Sequence, residues 1–92
     1  MSKEYSSVWD ALETNPVERA NLKLRSQLMI ALSIYVKESG MTQSQAAKKL
    51  GTTQPRLNDV LKGKIDKCTV DRLVNMLSMV GFEISIDISK AA

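Results

Sequence analysis

The sequence contains no histidine and a single cysteine, Cys68. Without histidine the chain can form neither a Cys/His zinc site nor a Ser-His-Asp or Cys-His catalytic arrangement. A lone cysteine excludes a disulfide within the chain, and we expect Cys68 to be a small buried residue without a redox role. No pair of groups offers an activated nucleophile or a metal site, so we expect neither an enzyme nor a bound cofactor.

Aromatic residues and long apolar runs are also scarce. Aromatic side chains make up 4% of the chain, so aliphatic residues and methionine must fill the core, a composition typical of helices. No apolar run approaches the roughly 20 residues of a membrane-spanning helix. The first residues lack the apolar region of a signal peptide. We therefore expect a cytoplasmic protein with no membrane partner.

The 92 residues, 43% of them hydrophobic, suit one domain over residues 1–92 with one core. The net charge of +3 is unevenly distributed. Residues 41–67 contain six basic and two acidic residues, whereas the remainder contains seven basic and eight acidic ones. This concentration of positive charge is typical either of an ordinary solvated face or of a surface that binds nucleic acid.

Capping residues and apolar periodicity predict four main helices. Each begins after a side chain that can accept a backbone hydrogen bond, and each ends at a glycine. The second helix also carries a capping box, with Gln45 three residues after its cap. The predicted caps and ends are Asn15 to Gly40, Thr42 to Gly51, Thr53 to Gly63 and Thr69 to Gly81.

The first helix carries two sets of apolar residues. The set that recurs at three- and four-residue steps predicts a buried face; it comprises Val17, Ala20, Leu24, Leu28, Ala31, Leu32 and Tyr35. The other set indicates either a second buried side, under a short helical turn that contains Val8, Trp9 and Leu12, or a surface for a partner. This other set comprises Leu22, Met29, Ile30, Ile34 and Val36.

Near the C-terminus, apolar residues recur at every second position instead of every third or fourth. This repeat predicts a strand over residues 82–88 with one buried face. It is the only strand signal in the sequence, so its backbone needs a partner for its hydrogen bonds. The strand either folds back on its own domain or pairs antiparallel with a second copy, and we predict the second arrangement. The predicted dimer interface is then Phe82, Ile84, Ile86 and Ile88.

The second and third helices, joined by a glycine turn, predict a helix-turn-helix arrangement, in which the later helix enters the major groove of DNA. Successive 100° steps place Leu57, Val60 and Leu61 on the buried side of this later helix. The residues outside this stripe include types that read base edges. The predicted base-contacting residues are Gln54, Pro55, Arg56, Asn58 and Asp59.

Contacts to the DNA phosphates are predicted from basic side chains and from the starts of the two helices. Each of these residues alone could also be an ordinary solvated residue, but the joint pattern favours double-stranded DNA as the partner. The predicted phosphate-contacting residues are Gln43, Lys48, Lys49, Thr53, Lys62, Lys64 and Lys67.

Residues 42–64, TQSQAAKKLGTTQPRLNDVLKGK, closely resemble the helix-turn-helix of the Xre/Cro family of phage-type repressors. The flanking residues 8–12, 22–23 and 70–74 and the alternating C-terminal end are similar to the small-antitoxin branch typified by HigA. Members commonly carry an aromatic residue at the position of Cys68 and a serine at that of Asn58, so core packing and one groove contact are expected to differ here.

The resemblance implies an all-α, lambda-repressor-like bundle with a C-terminal dimerisation strand. It also implies a dimeric repressor of a palindromic operator that acts as the antitoxin of a type II toxin-antitoxin operon and neutralises a co-encoded RNA-cleaving toxin. The alternatives are a solitary regulator without a toxin, and a protein-interaction module that uses the apolar excess of the first helix.

Overall fold

The computed structural model of the chain describes residues 15–90. These residues form four α-helices and one 3₁₀ turn, and none of the helices is long and apolar enough to cross a membrane. The predicted turn with Val8, Trp9 and Leu12 lies outside the described residues. In chain order the elements are α1 (Pro16–Ser39), α2 (Gln43–Leu50), α3 (Gln54–Leu61), the 3₁₀ turn (Ile65–Lys67) and α4 (Val70–Met79).

All four predicted N-caps are confirmed. Asn15 Oδ1 accepts a hydrogen bond from the backbone N–H of Glu18 at 3.1 Å. Oε1 of Gln45 accepts a hydrogen bond from the backbone N–H of Thr42 at 3.0 Å, and Oγ1 of Thr42 accepts one from the N–H of Gln45 at 3.1 Å. These two bonds complete the predicted capping box. The threonines before α3 and α4 cap their helices in the same way. Because the first N–H groups of a helix have no acceptor within it, these side chains determine where each helix begins.

The core lies where α1 packs against α3 and α4, and where α2 packs against the same two helices. No polar side chain is buried within residues 15–90. On α2 the small side chains of Ala46 and Ala47 are buried, which allows the neighbouring helices to approach closely. The largest fully buried side chains are all leucines, namely Leu32, Leu50, Leu57, Leu73 and Leu77.

The predicted buried face of α1 is correct only in the later part of the helix. Leu28 and Leu32 are buried, whereas Val17 is 78% exposed, and Ala20 and Leu24 are also exposed. Leu24 borders a groove lined by Val70 and Val74 of α4 and is 37% exposed, whereas Val17 lies two turns closer to the start of α1. Within residues 15–90 the apolar period of α1 therefore extends beyond the part that is buried.

The second apolar set of α1 is divided in the same way. Met29 is buried, whereas Ile30 and Ile34 are 56% and 51% exposed. Leu22 and Val36 are half-buried. Burial on a second side, one of the two predicted alternatives, therefore does not extend to Ile30 and Ile34 in the described part of the chain.

The predicted strand at residues 82–88 is not formed in the described chain, where residues 82–90 belong to neither a helix nor a sheet. A strand requires the hydrogen bonds of a neighbouring strand, and residues 15–90 contain no other. The ring of Phe82 instead meets Tyr35 of α1 edge-on, with 5.8 Å between ring centroids, and Ile84 packs against the core. Two of the four predicted interface residues thus contact their own domain, while Ile86 and Ile88 are 71% and 87% exposed.

A substitution at Gly51, in the turn between α2 and α3, tests how much stability depends on a glycine at this left-handed backbone position. Gly51 has φ of 70°, and an added Cβ would lie 3.2 Å from Cε of Met79. Because Met79 is 62% exposed and its methyl group ends a flexible side chain, we expect it to move aside at little cost. Gly51→Ala should then lower the free energy of unfolding by about 1–2 kcal/mol, the cost of left-handed backbone for an L-residue.

Gly40→Ala is the matched control, since Gly40 has φ of 72° and its Cβ would meet nothing within 4 Å. We expect urea unfolding to show similar losses in the free energy of unfolding for the two variants. A much larger loss for Gly51→Ala would show that the contact with Met79 is rigid and that the backbone conformation is not the main cost.

Candidate nucleic-acid interface

The turn between α2 and α3 consists of residues 51–53. The N–H of Gly51 donates to the carbonyl of Lys48 at 3.2 Å, and the N–H of Thr52 donates to that of Ala47 at 2.9 Å. Thr53 then caps α3 by accepting a hydrogen bond from the N–H of Arg56 at 3.3 Å. Two helices of eight residues each, joined by a three-residue turn, form the predicted helix-turn-helix arrangement.

The first turn of α3 is exposed. Gln54, Pro55 and Arg56 are all exposed, whereas Leu57 and Val60 on the opposite side are buried in the core. Pro55 lies in the first turn of the helix, where its missing N–H leaves no hydrogen bond unmade. Three of the five predicted base-contacting residues are thus presented together on one surface of α3.

Asn58 is half-buried and contacts α2. Its Oδ1 accepts a hydrogen bond from Nε2 of Gln43 at 3.4 Å. This bond brings together a predicted base-contacting residue and a predicted phosphate-contacting residue at the start of α2. The structure therefore places the beginning of α2 beside the middle of α3 and restrains the Asn58 side chain.

The five predicted phosphate-contacting lysines are exposed and lie in two groups. Lys48 and Lys49 form part of the last turn of α2, at the opposite end of that helix from Gln43. The other three lie in or beside the α3–α4 loop, which we define as residues 62–69; they are Lys62, Lys64 and Lys67.

Acidic residues are absent from the first turns of α2 and α3. The first turn of α1, in contrast, contains Glu18, and that of α4 contains Asp71. A helix N-terminus carries a partial positive charge, which an acidic side chain in the first turn offsets. In α2 and α3 no acidic side chain of the first turn offsets this charge.

Residues 12–89 match the sequence profile of a family described as Helix-turn-helix domain. The chain belongs to this family. The match includes all four α-helices and most of the C-terminal segment. No curated protein matches the chain. Membership in the family supports a DNA-binding regulator, and double-stranded DNA as its partner.

In this helix-turn-helix domain Asp59 is the remaining predicted base-contacting residue. Asp59 is half-buried, and its backbone carbonyl accepts a hydrogen bond from the N–H of Lys64 at 2.9 Å. Asp59 belongs to the second turn of α3, farther along the helix than the exposed group at its start. Residues three and four positions apart are neighbours on a helix, so Asp59 lies beside Pro55 and Arg56 and stays a predicted base contact.

Cys68 is buried in the domain, and its thiol donates to the carbonyl of Lys64 at 3.4 Å. Burial raises the pKa of the thiol, the Asp59 carboxylate raises it further, and the Arg25 guanidinium lowers it. A thiol with a raised pKa stays protonated at neutral pH and is a poor nucleophile. These observations agree with a packing role for this residue.

Arg25 of α1 is a functional candidate that the sequence analysis did not identify. Its guanidinium donates to a backbone carbonyl of the α3–α4 loop, 40 residues away along the chain. No local pattern indicates such a contact, because periodicity and capping report only on neighbours within a few residues.

Proposed function

We propose that the chain is a transcriptional repressor that binds a palindromic operator as a dimer, with α3 of each copy in the major groove. The observation that carries this proposal is the exposed first turn of α3, supported from behind by buried Leu57 and Val60. In helix-turn-helix proteins the N-terminal residues of the second helix contact base edges. The absence of acidic residues from the first turns of α2 and α3 supports the same orientation.

The side chains of this surface differ in what they can recognise. Arg56 suits the two acceptors of a guanine edge, Gln54 and Asn58 suit adenine, and Asp59 can accept from cytosine. Gln43, Thr53 and the exposed lysines are proposed to bind phosphates, which positions α3 without reading sequence.

The proposed dimer would form through residues 82–88. A single helix-turn-helix reads few base pairs, and two copies about 34 Å apart on a two-fold axis read a palindrome. Phe82 and Ile84 hold the segment on its own domain, while Ile86 and Ile88 remain exposed and available to a second copy. Antiparallel pairing of the two segments would supply the hydrogen bonds that a lone strand lacks.

The antitoxin role is proposed from the resemblance of the motif to the HigA-like branch. Exposed Ile30 and Ile34 on α1 favour a protein partner, which a co-encoded toxin would provide. The test is whether a neighbouring reading frame encodes a small basic ribonuclease-like protein that co-purifies with this chain. If none does, the solitary regulator replaces the antitoxin.

The proposed division between base and phosphate contacts predicts that Arg56→Ala and Lys64→Ala lose DNA-binding affinity in different ways. Arg56→Ala should cost about 1–3 kcal/mol of operator binding and relax the preference at one base pair. Lys64→Ala should weaken binding to all sequences alike, because a phosphate contact carries no sequence information.

The operator is first selected from random duplexes with the unmodified protein, and each variant is then measured on single-base operator variants and on unrelated DNA. Failure to select any sequence would contradict the proposed function. Equal losses on operator and unrelated DNA for Arg56→Ala would instead make Arg56 a phosphate contact.

A further inference from the structure

Arg25 connects α1 to the α3–α4 loop through one forked side chain. Its Nη1 donates to the carbonyl of Ile65 at 2.8 Å and to that of Cys68 at 3.4 Å. Its Nε donates to Oδ1 of Asn21, one turn earlier on α1, at 2.7 Å. The side chain is half-buried, and its contacts lie between α1 and the loop.

The loop that Arg25 contacts carries the exposed lysines proposed to bind phosphate. Within the loop, the N–H of Lys67 donates to the carbonyl of Lys64 at 3.0 Å, and the N–H of Cys68 donates to that of Ile65 at 3.3 Å. These bonds give the loop its 3₁₀ turn but do not attach it to another helix. Ile65 and buried Cys68 pack the loop against the core, and the Arg25 guanidinium adds hydrogen bonds from α1 to the carbonyls of these same two residues, between which Lys67 lies.

Arginine suits this position for a geometric reason. The planar guanidinium donates from several nitrogens in fixed directions, so the Asn21 bond at Nε sets the plane in which Nη1 reaches the loop. Hydrogen bonds from a charged donor are also stronger than those between neutral groups. Lysine would keep the positive charge but could not make both sets of contacts in this fixed geometry.

We propose that Arg25 is a positioning residue for DNA binding, which holds the α3–α4 loop against α1 so that Lys64 and Lys67 face the phosphates. The inference rests on the proposed function, because it requires these lysines to bind DNA. Arg25 itself donates to backbone carbonyls and does not need to contact the DNA. A loop held in place before binding loses less conformational freedom when its lysines meet the phosphates.

The salt dependence of DNA binding tests this proposal. The slope of log affinity against log salt concentration reports how many phosphates are neutralised. Arg25→Gln should reduce the magnitude of the slope by about two per protomer, one for each displaced lysine. Arg25→Lys should reduce it equally, because that variant keeps the charge and loses the fork. Arg19→Gln, which removes an exposed arginine from the same helix, should leave the slope unchanged.

A double substitution separates positioning from a direct contact. If Arg25 acts through the loop lysines, the combined substitution Lys64→Ala and Lys67→Ala should lower the slope much less in the Arg25→Lys background than in the unmodified protein. The proposal would be overturned if the reductions in slope from the Arg25 and lysine substitutions were additive. It would also be overturned if Arg25→Lys kept the slope of the unmodified protein. Circular dichroism melting of each variant confirms that it is folded, and Arg25→Lys carries the test if Arg25→Gln melts below the assay temperature.

The same measurements distinguish this inference from the proposed function. If the unmodified protein shows no salt-dependent DNA binding, the proposed function fails and the inference fails with it. If the unmodified protein binds with a steep slope and both Arg25 variants keep that slope, only the inference fails.

Discussion

The affinity of the proposed dimer for DNA is expected to fall by a factor of about 10³–10⁵ between roughly 50 and 200 mM salt. A dimer that neutralises on the order of 6–10 phosphates releases the counterions condensed on them, and added salt opposes that release. The excess of basic residues in residues 41–67, with five exposed lysines, provides enough candidates for these contacts. Fluorescence anisotropy with a labelled operator over a salt series measures the effect.

Two lysine variants provide the comparison for this experiment. Lys49→Gln removes a proposed phosphate contact at the end of α2 and should lower the magnitude of the slope by about one per protomer. Lys37→Gln removes an exposed lysine from the last turn of α1, outside the proposed set, and should leave the slope unchanged. A flat salt response of the unmodified protein would favour a protein-interaction module over a DNA-binding regulator.

Ile86→Pro is expected to convert the proposed dimer into a monomer and to reduce operator affinity toward the non-specific level, a loss on the order of 10³-fold or more. Proline lacks the N–H that an antiparallel ladder requires, and it is poorly tolerated inside paired strands. The helices should be retained, because Ile86 lies beyond the end of α4 and is 71% exposed in the described chain. Analytical ultracentrifugation, circular dichroism and operator binding together measure these outcomes.

Ser89→Pro is the control for this substitution. Ser89 follows the predicted strand, so this variant should leave the proposed dimer intact. A stable dimer with full operator binding for Ile86→Pro would place the interface elsewhere. Exposed Ile30 and Ile34 on α1 would then be the leading alternative, whereas neighbouring Met29 is buried and cannot contribute much surface.

Local sequence signals were sufficient to predict where the helices begin and that the second and third form a helix-turn-helix arrangement. The caps at Asn15, Thr42, Thr53 and Thr69 were all confirmed. Each cap depends on atoms within three residues of one another, so the information lies in the local sequence. The helix ends were less accurate: α3 and α4 end at Leu61 and Met79, two residues before the predicted glycines.

The exposed surface of α3 was also predictable, because the helical period separates Leu57 and Val60 from Gln54, Pro55 and Arg56. Periodicity was insufficient on α1, where Val17 and Leu24 follow the apolar pattern but are exposed. The pattern shows which side of a helix is apolar, whereas the packing of the other elements decides how much of that side is covered.

The sequence by itself determined the helix starts, the turn at Gly51 and the polar surface of α3, because each depends on contacts between near neighbours. Only the tertiary structure decided that Arg25 donates to the α3–α4 loop, that Gln43 donates to Asn58 and that Phe82 packs on Tyr35. These contacts join residues 15 to 47 positions apart. Their partners are chosen by how the helices pack around the shared leucine core, which a local pattern does not specify.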